Sequence, residues 1–373
     1  MRNTPPFRYY ASEISYFSAK VRPALRYKGI RFTELLPDVR GVILPRTGLA
    51  YIPILVTPED ETLQDTSDIL DALEARFPAP PLYPRSPVQR VANLLFELYA
   101  DEFLLLPAMH YRWSFPESEA KARADFAANT GDPVLANAFA DRMSGALAVL
   151  GIDANTIPAI ESHTEGLLDD LSDHFAAHAY LLGGRMSLAD CALMGPLYAH
   201  LYLDAVPGRL LRERAPRVCH WIERMNRPDP DAPGAWLEDD GLAPTLRPLL
   251  ERIGRDAVPL ILDGAADFER WADARPDATV EPPRIIGMHA TRLSGAACQR
   301  GTSAYTLWML QRPLDAYRAL DDAGRAAVDR VLDGTGCEAL FAYAPRHRLG
   351  KRRFKLVFEA PPDRRGGGAG PAI

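Results

Sequence analysis

The chain has 373 residues, 47% of them hydrophobic and 25% charged, a balance that excludes global disorder. At roughly 100–200 residues per domain it holds two or three domains. A net charge of −6 argues against general nucleic-acid binding, which needs clustered Lys and Arg.

Met1 to Tyr10 shows no apolar secretory core, and the longest apolar run, residues 103–109, falls far short of the ~18 residues that span a bilayer. The expectation is a cytoplasmic protein that does not engage membranes. Residues 7–11 are short and aromatic, as an opening strand should be. Phe17, Val21, Ala24 and Leu25 then recur at helical spacing, Gly29 stops the helix, and Pro23 is expected to kink it. Residues 30–36, 51–56 and 62–63 read as strands. Residues 65–77 read as a helix with Ile69, Leu70, Leu73 and Phe77 on one face. The order is βαβ, then ββα.

Residues 86–245 read as all helical. Ser86-Pro87 opens a long helix, with Ser as cap and Pro in its first turn, and Pro107 is expected to kink it. Gly183-Gly184 turns the chain into another helix, where Ser187 caps and Asp190 reaches back to the Ser187 N–H. Beyond 246, helices over 263–274, 305–320 and 323–332 mix with strands over 285–291, 338–343 and 353–358. Arg346-His347-Arg348 and Lys351-Arg352-Arg353 read as a basic hairpin, either a solvated turn or a contact for an acidic partner. From Asp363 the glycine-rich end reads as a disordered tail.

The 33 prolines exceed the usual ~5%, and their spread marks many loops and no single linker. Cys191, Cys219, Cys298 and Cys337 show no CxxC spacing, so neither a zinc site nor a disulfide framework is indicated. His110 and His200 lack ligand-type spacing, and no metal is expected.

Four segments carry a resemblance. They are Ser15-Tyr16-Phe17-Ser18-Ala19-Lys20-Val21-Arg22, Ile52-Pro53-Ile54-Leu55, Asp65-Thr66-Ser67-Asp68-Ile69 and Gly183-Gly184-Arg185-Met186-Ser187-Leu188-Ala189-Asp190. In this order and spacing, residues 6–245 resemble the glutathione transferase superfamily. The resemblance implies an α/β plus all-α protein: a thioredoxin-like βαβ-ββα domain at 1–84 that binds glutathione, and a helical bundle domain at 85–246. An α+β extension at 247–361, unlike ordinary members, and a tail at 362–373 complete the chain. It also implies glutathione as co-substrate, a small-molecule electrophile and a homodimer.

The site residues follow from that resemblance. Ile52 and Pro53, with a cis bond before the proline, would offer the Ile52 backbone to an extended ligand. Asp65 would hold the amino group of the γ-glutamyl end and Thr66 its carboxylate, at the positive end of a helix. Read from residue chemistry alone, the same two residues are helix caps. A thiol of pKa about 8.5 is mostly protonated at neutral pH, so a hydroxyl donor must stabilise the thiolate. Ser15 matches the family's catalytic serine; Tyr10 and Ser18 are alternatives, with Tyr9 a further rival. Asp101, His110 and Tyr111 are placed at the electrophile pocket, or else form a charged face and an aromatic core contact. Members that exchange thiols carry a cysteine at the Ser15 loop. This chain has none before Cys191, which argues against thiol exchange there. Three readings are carried: a transferase conjugating the thiolate, a non-catalytic binding protein acting through its extension, and a glutathione-dependent isomerase or lyase.

Overall fold

The structure is a computed structural model that describes residues 5–275 and 281–359. The expected tail from 363 lies outside the described residues. Strand β1 (Phe7–Tyr10) leads through α1 (Tyr16–Tyr27) to β2 (Phe32–Leu35). A π-turn at Val39–Ile43 runs into α2 (Leu44–Thr47). Then β3 (Ile54–Val56), β4 (Thr62–Gln64) and α3 (Thr66–Arg76) close the unit. The sheet order is β2-β1-β3-β4, with β1 parallel to β2 and antiparallel to β3. This is the thioredoxin-like arrangement.

Strand alternation sends Tyr9 into the main core and Tyr10 to the opposite face with Ile43, Ile54 and Val56. The 39–47 segment that covers this second face has no counterpart in the sequence reading. Arg40, Gly41, Pro45 and Gly48 interrupt any helical apolar period there. Helix α1 stays continuous through Pro23.

The helical half comprises α4 (Pro87–Glu102), α5 (Leu105–Trp113), α6 (Pro116–Thr130), α7 (Pro133–Ser144), α8 (Ala146–Leu150) and α9 (Ile157–Ala177). It continues with α10 (Leu188–Met194), a π-helix at Gly195–Tyr202, α11 (Ala205–Arg214) and α12 (Pro216–Asn226). The single kinked helix expected past residue 86 is in fact two, because the chain breaks at Phe103-Leu104. Pro107 falls in the first turn of α5, where its missing N–H would have no intrahelical partner anyway. Ser86 occupies the cap position of α4, but its hydroxyl does not cap. Asp240 does, accepting from the N–H groups of Val88 (2.8 Å) and Gln89 (3.0 Å). The capping box at Ser187 and Asp190 forms as read.

The extension begins with α13 (Arg247–Arg252) and α14 (Val258–Asp273), then the hairpin β5 (Gly287–Leu293) and β6 (Ala296–Thr302). Helices α15 (Ala304–Arg318), α16 (Asp322–Leu332) and α17 (Glu338–Ala342) follow, and then the hairpin β7 (Leu349–Arg352) and β8 (Lys355–Phe358). The strand expected at 338–343 is therefore the helix α17. Cys337 and Leu340 are buried and Phe341 half-buried, a helical spacing that a short apolar run conceals. Helices α15 and α16 pack on α4. One apolar core runs from Tyr9 through the helical half into Leu307, Leu310 and Leu349. This packing sets the extension over the start of α3. No helix among the described residues is long and apolar enough to cross a membrane.

Candidate functional site

Ser15 caps α1 in an extended conformation, and its Oγ accepts the Ser18 N–H (3.3 Å). Its own O–H is left to donate, and the residue is half-buried. Ser18 is fully buried and its Oγ accepts the Ser12 N–H (3.3 Å). Tyr9 is buried and donates to the Ser18 carbonyl (2.7 Å); burial pushes its phenol far up. Tyr10 is buried in the small second cluster. The loop that carries Ser15 is held from the helical half. Arg112 donates to the Ile14 carbonyl (3.0 Å) and pairs with buried Asp204 (2.7 Å). His200, pushed well down by burial and then by Arg112, contacts Arg112 (2.9 Å) as an uncharged core histidine.

The Ile52–Pro53 bond is cis. Strand β3 starts at Ile54, so the Ile52 backbone lies outside the ladder. No hydrogen bond among the described residues engages it. Asp65 has φ of 75°, a conformation uncommon for any residue with a side chain. Its Oδ1 caps α3 by accepting the Ser67 N–H (3.0 Å). Its Oδ2 accepts the Tyr305 O–H (2.7 Å) and the Lys351 ammonium (2.9 Å). Asp65 thus caps a helix and holds a cation at once. Burial pushes its carboxyl up, but Lys351 and the Tyr305 hydroxyl outweigh burial and hold it below its ordinary value. Thr66 is buried beside it.

Beneath α3 lies a closed ionic cluster. The Lys20 ammonium meets Ser67 Oγ (3.1 Å), Glu97 Oε1 (2.8 Å) and Asp101 Oδ2 (2.6 Å), with Lys20, Glu97 and Asp101 all fully shielded from water. Arg312 reaches Glu97 from α15 (2.9 Å). Glu97 is pulled down to about 2 against its burial, by Arg312 first and Lys20 second. Asp101 is pushed up to about 6 by burial, which Lys20 only partly offsets. His110 contacts Ser114 (2.9 Å) and Glu161 (3.0 Å), and Tyr111 stacks on Phe115 at 5.6 Å. His110 and Tyr111 therefore share one aromatic cluster, while Asp101 belongs to another set of partners.

Glu102 lines a small enclosed cavity with His289, Arg300 and Thr306, and accepts the Thr306 O–H (2.6 Å). Burial pushes its carboxyl from 4.5 up to about 7, against the hydrogen bond from Thr306 and the charge of Arg300. A carboxyl raised on folding gives stability that is full below the unfolded pKa and lost as pH climbs through the folded one. The Glu102→Gln variant should therefore lose up to about 3 kcal/mol less than wild type between pH 4 and pH 8, as read by urea denaturation. Equal slopes with pH would refute the assignment.

Lys20, Tyr305, Arg312 and Lys351 escaped the sequence reading as site residues. Lys20 left a trace: it lies between Phe17 and Ala24 on the apolar face of its helix. Lys351 left none, because a lysine in a basic hairpin reads as solvated. Among the described residues no group of three or more His, Cys, Asp or Glu is placed to hold a metal.

Residues 10–81 match the family model described as Glutathione S-transferase, N-terminal domain. Residues 153–229 match the one described as Glutathione S-transferase, C-terminal domain. No curated protein matches the chain. Solved structures similar to it include a glutathione S-transferase from Methylobacterium radiotolerans in complex with glutathione sulfonate. It shares 20% identity over 63% of this chain and 97% of that one, with a TM-score of 0.41. Another, from Methylobacillus flagellatus with glutathione bound, shares 19% identity over 64% and 100%, with a TM-score of 0.39. The beta-etherase LigF from Sphingobium shares 18% identity over 61% and 98%, with a TM-score of 0.44.

Proposed function

The chain belongs to the glutathione transferase superfamily, and on that premise we propose that it binds glutathione and adds its thiolate to a small electrophile. Ile52, Pro53, Asp65 and Thr66 hold the tripeptide, and Ser15 stabilises the thiolate. The observation that carries this reading is Asp65. Its carboxylate, at the head of α3, already grips a primary ammonium, that of Lys351 at 2.9 Å. The γ-glutamyl end of glutathione offers the same chemical group. Its carboxylate would meet the Thr66 hydroxyl and the free N–H groups of the first turn of α3.

Ser15 is preferred to Tyr10 and Ser18 because those two are buried while Ser15 is half-exposed at the positive end of α1. Asp101, His110 and Tyr111 are buried against protein partners and have no part in this proposal. The reading includes a cytoplasmic homodimer; light scattering that gives the mass of one chain would remove the dimer.

Calorimetric titration tests the binding. Wild type should saturate with glutathione in the millimolar range, and Asp65→Ala should bind at least about tenfold more weakly, the loss of a charge-assisted contact. Ser15→Ala should lower kcat about tenfold or more with little change in the KM for glutathione. A second reading, a non-catalytic binding protein, draws support from the extension's occupation of Asp65. Glutathione binding with no turnover across a broad electrophile panel would select it.

A further inference from the structure

The transferase reading leaves one arrangement unexplained. The extension reaches back over the start of α3 with three polar side chains. Tyr305 donates to Asp65 Oδ2 (2.7 Å), and Lys351 joins the same oxygen (2.9 Å) and Asp68 Oδ2 (2.8 Å). Arg312 clamps Asp71 (2.7 Å) as well as Glu97 (2.9 Å). The Lys351 ammonium also sits 3.5 Å from the centre of the Trp308 ring.

A surface ion pair is the plain alternative, and such pairs do little. Lys351 is not one. Its side chain is 14% exposed and that of Asp65 16%. Its charge lies between two carboxylates and an aromatic face. The carboxylate it grips is also the one that the glutathione reading needs. A carboxylate oxygen has two lone pairs. Oδ2 spends them on Tyr305 and Lys351, while Oδ1 accepts the Ser67 N–H. Oδ1 keeps one lone pair, so it is an ammonium taking its place at Oδ2 that must displace Tyr305 or Lys351.

The hairpin that carries Lys351 is anchored at its open end, where Leu349 is buried, Arg348 pairs with Asp315 (2.7 Å) and Phe358 stacks on Phe268, and is less constrained toward its turn. Its two-residue turn, Arg353-Phe354, has φ of 45° and 69°, left-handed values that favour Asn and Gly and cost other residues. Strand β8 is half-buried along its whole length. Gln311 pins the first residue of β7, exchanging hydrogen bonds of 2.8 Å with both the N–H and the C=O of Leu349. The Lys351 contacts come two residues later, close to the strained turn.

We infer that the β7–β8 hairpin is an intramolecular competitor of glutathione, Lys351 standing where the γ-glutamyl ammonium would stand and keeping the site shut until the tripeptide displaces it. This inference rests on the glutathione reading above. The apparent affinity is then the intrinsic one reduced by the fraction of molecules in which the hairpin is open.

Two measurements on the full chain test it. The first is calorimetric titration of wild type and Lys351→Ala with glutathione. The variant should bind at least about tenfold tighter. The second uses wild type alone, so it does not depend on a variant folding. Acetylation of Lys351 by an amine reagent, followed by mass spectrometry, should speed up at least threefold when glutathione is saturating. Wild type binding glutathione as tightly as Lys351→Ala or more tightly, or acetylation of Lys351 unmoved by bound glutathione, overturns the competitor and leaves the glutathione reading standing. Absence of binding by both proteins overturns the glutathione reading and the competitor with it.

Discussion

Replacing Lys20 by Met should cost about 3–5 kcal/mol of stability at pH 8 and clearly less at pH 5, measured by urea denaturation. The Lys20 ammonium has three N–H bonds and three acceptors, Ser67, Glu97 and Asp101, each within 3.1 Å. Removing it leaves two carboxylates in a dry interface between α1, α3 and α4. Glu97 keeps Arg312 and Ser67, so its charge stays compensated. Asp101 keeps no cation, and its second oxygen, Oδ1, has no partner even in the wild type. Its folded-state pKa, already pushed up to about 6, must rise further. The native variant then takes up a proton over a range in which unfolded Asp101 stays ionised. Its stability is present at low pH and lost as pH rises, so the deficit shrinks on acidification. A deficit independent of pH would sink the argument. The double variant Lys20→Met/Asp101→Leu should recover more than half of the loss, since a buried ion pair can be replaced by apolar groups at little cost.

That cluster shows which parts of this protein its sequence discloses. The βαβ-ββα order is readable because each element has its own local signal. Aromatic and β-branched runs mark β1 to β3, and Ile69, Leu70 and Leu73 recur at helical spacing in α3. Ser187 and Asp190 disclose their capping box because both halves lie within four residues. Contacts between distant segments leave no such mark. Lys20 finds Glu97 and Asp101 across the domain boundary, and Asp240 caps α4 in place of the adjacent Ser86. Lys351 finds Asp65 from the far end of the chain. For Asp240 and Lys351 the local pattern is that of an ordinary charged residue facing water; Lys20 is marked only by its place on the apolar face of α1, and its partners are set by packing alone. The candidate site divides the same way. Its Ser15, Pro53 and Asp65 positions lie in short recognisable segments, whereas the groups that fill and close it come from the extension.

Asp190→Ala should destabilise the protein by about 4 kcal/mol or more, close to the limit at which a marginal fold persists. Asp190 is wholly buried and accepts four hydrogen bonds. Its donors are the Leu181 N–H (3.0 Å), the Ser187 N–H (2.9 Å), the Ser187 O–H (2.7 Å) and the Trp221 indole N–H (3.1 Å). Truncation removes the acceptor of all four in a buried region, each at about 1–3 kcal/mol if left unpaired. It also opens the N-terminus of α10, whose seven residues are all buried. Burial outweighs those four donors and pushes the carboxyl up to about 6. The charged form is therefore tolerated, not favoured, and its share of stability falls as pH rises through about 6. Asp190→Asn separates the two effects. The amide keeps an acceptor for Leu181 and Trp221, turns a donor toward the Ser187 N–H, and has no titration. It should lose about half of what Asp190→Ala loses at pH 7, and its stability should vary less than wild type between pH 5 and pH 7. An Asp190→Ala protein that unfolds within 1 kcal/mol of wild type would mean that the donors find other partners, and that the box is not what anchors α10.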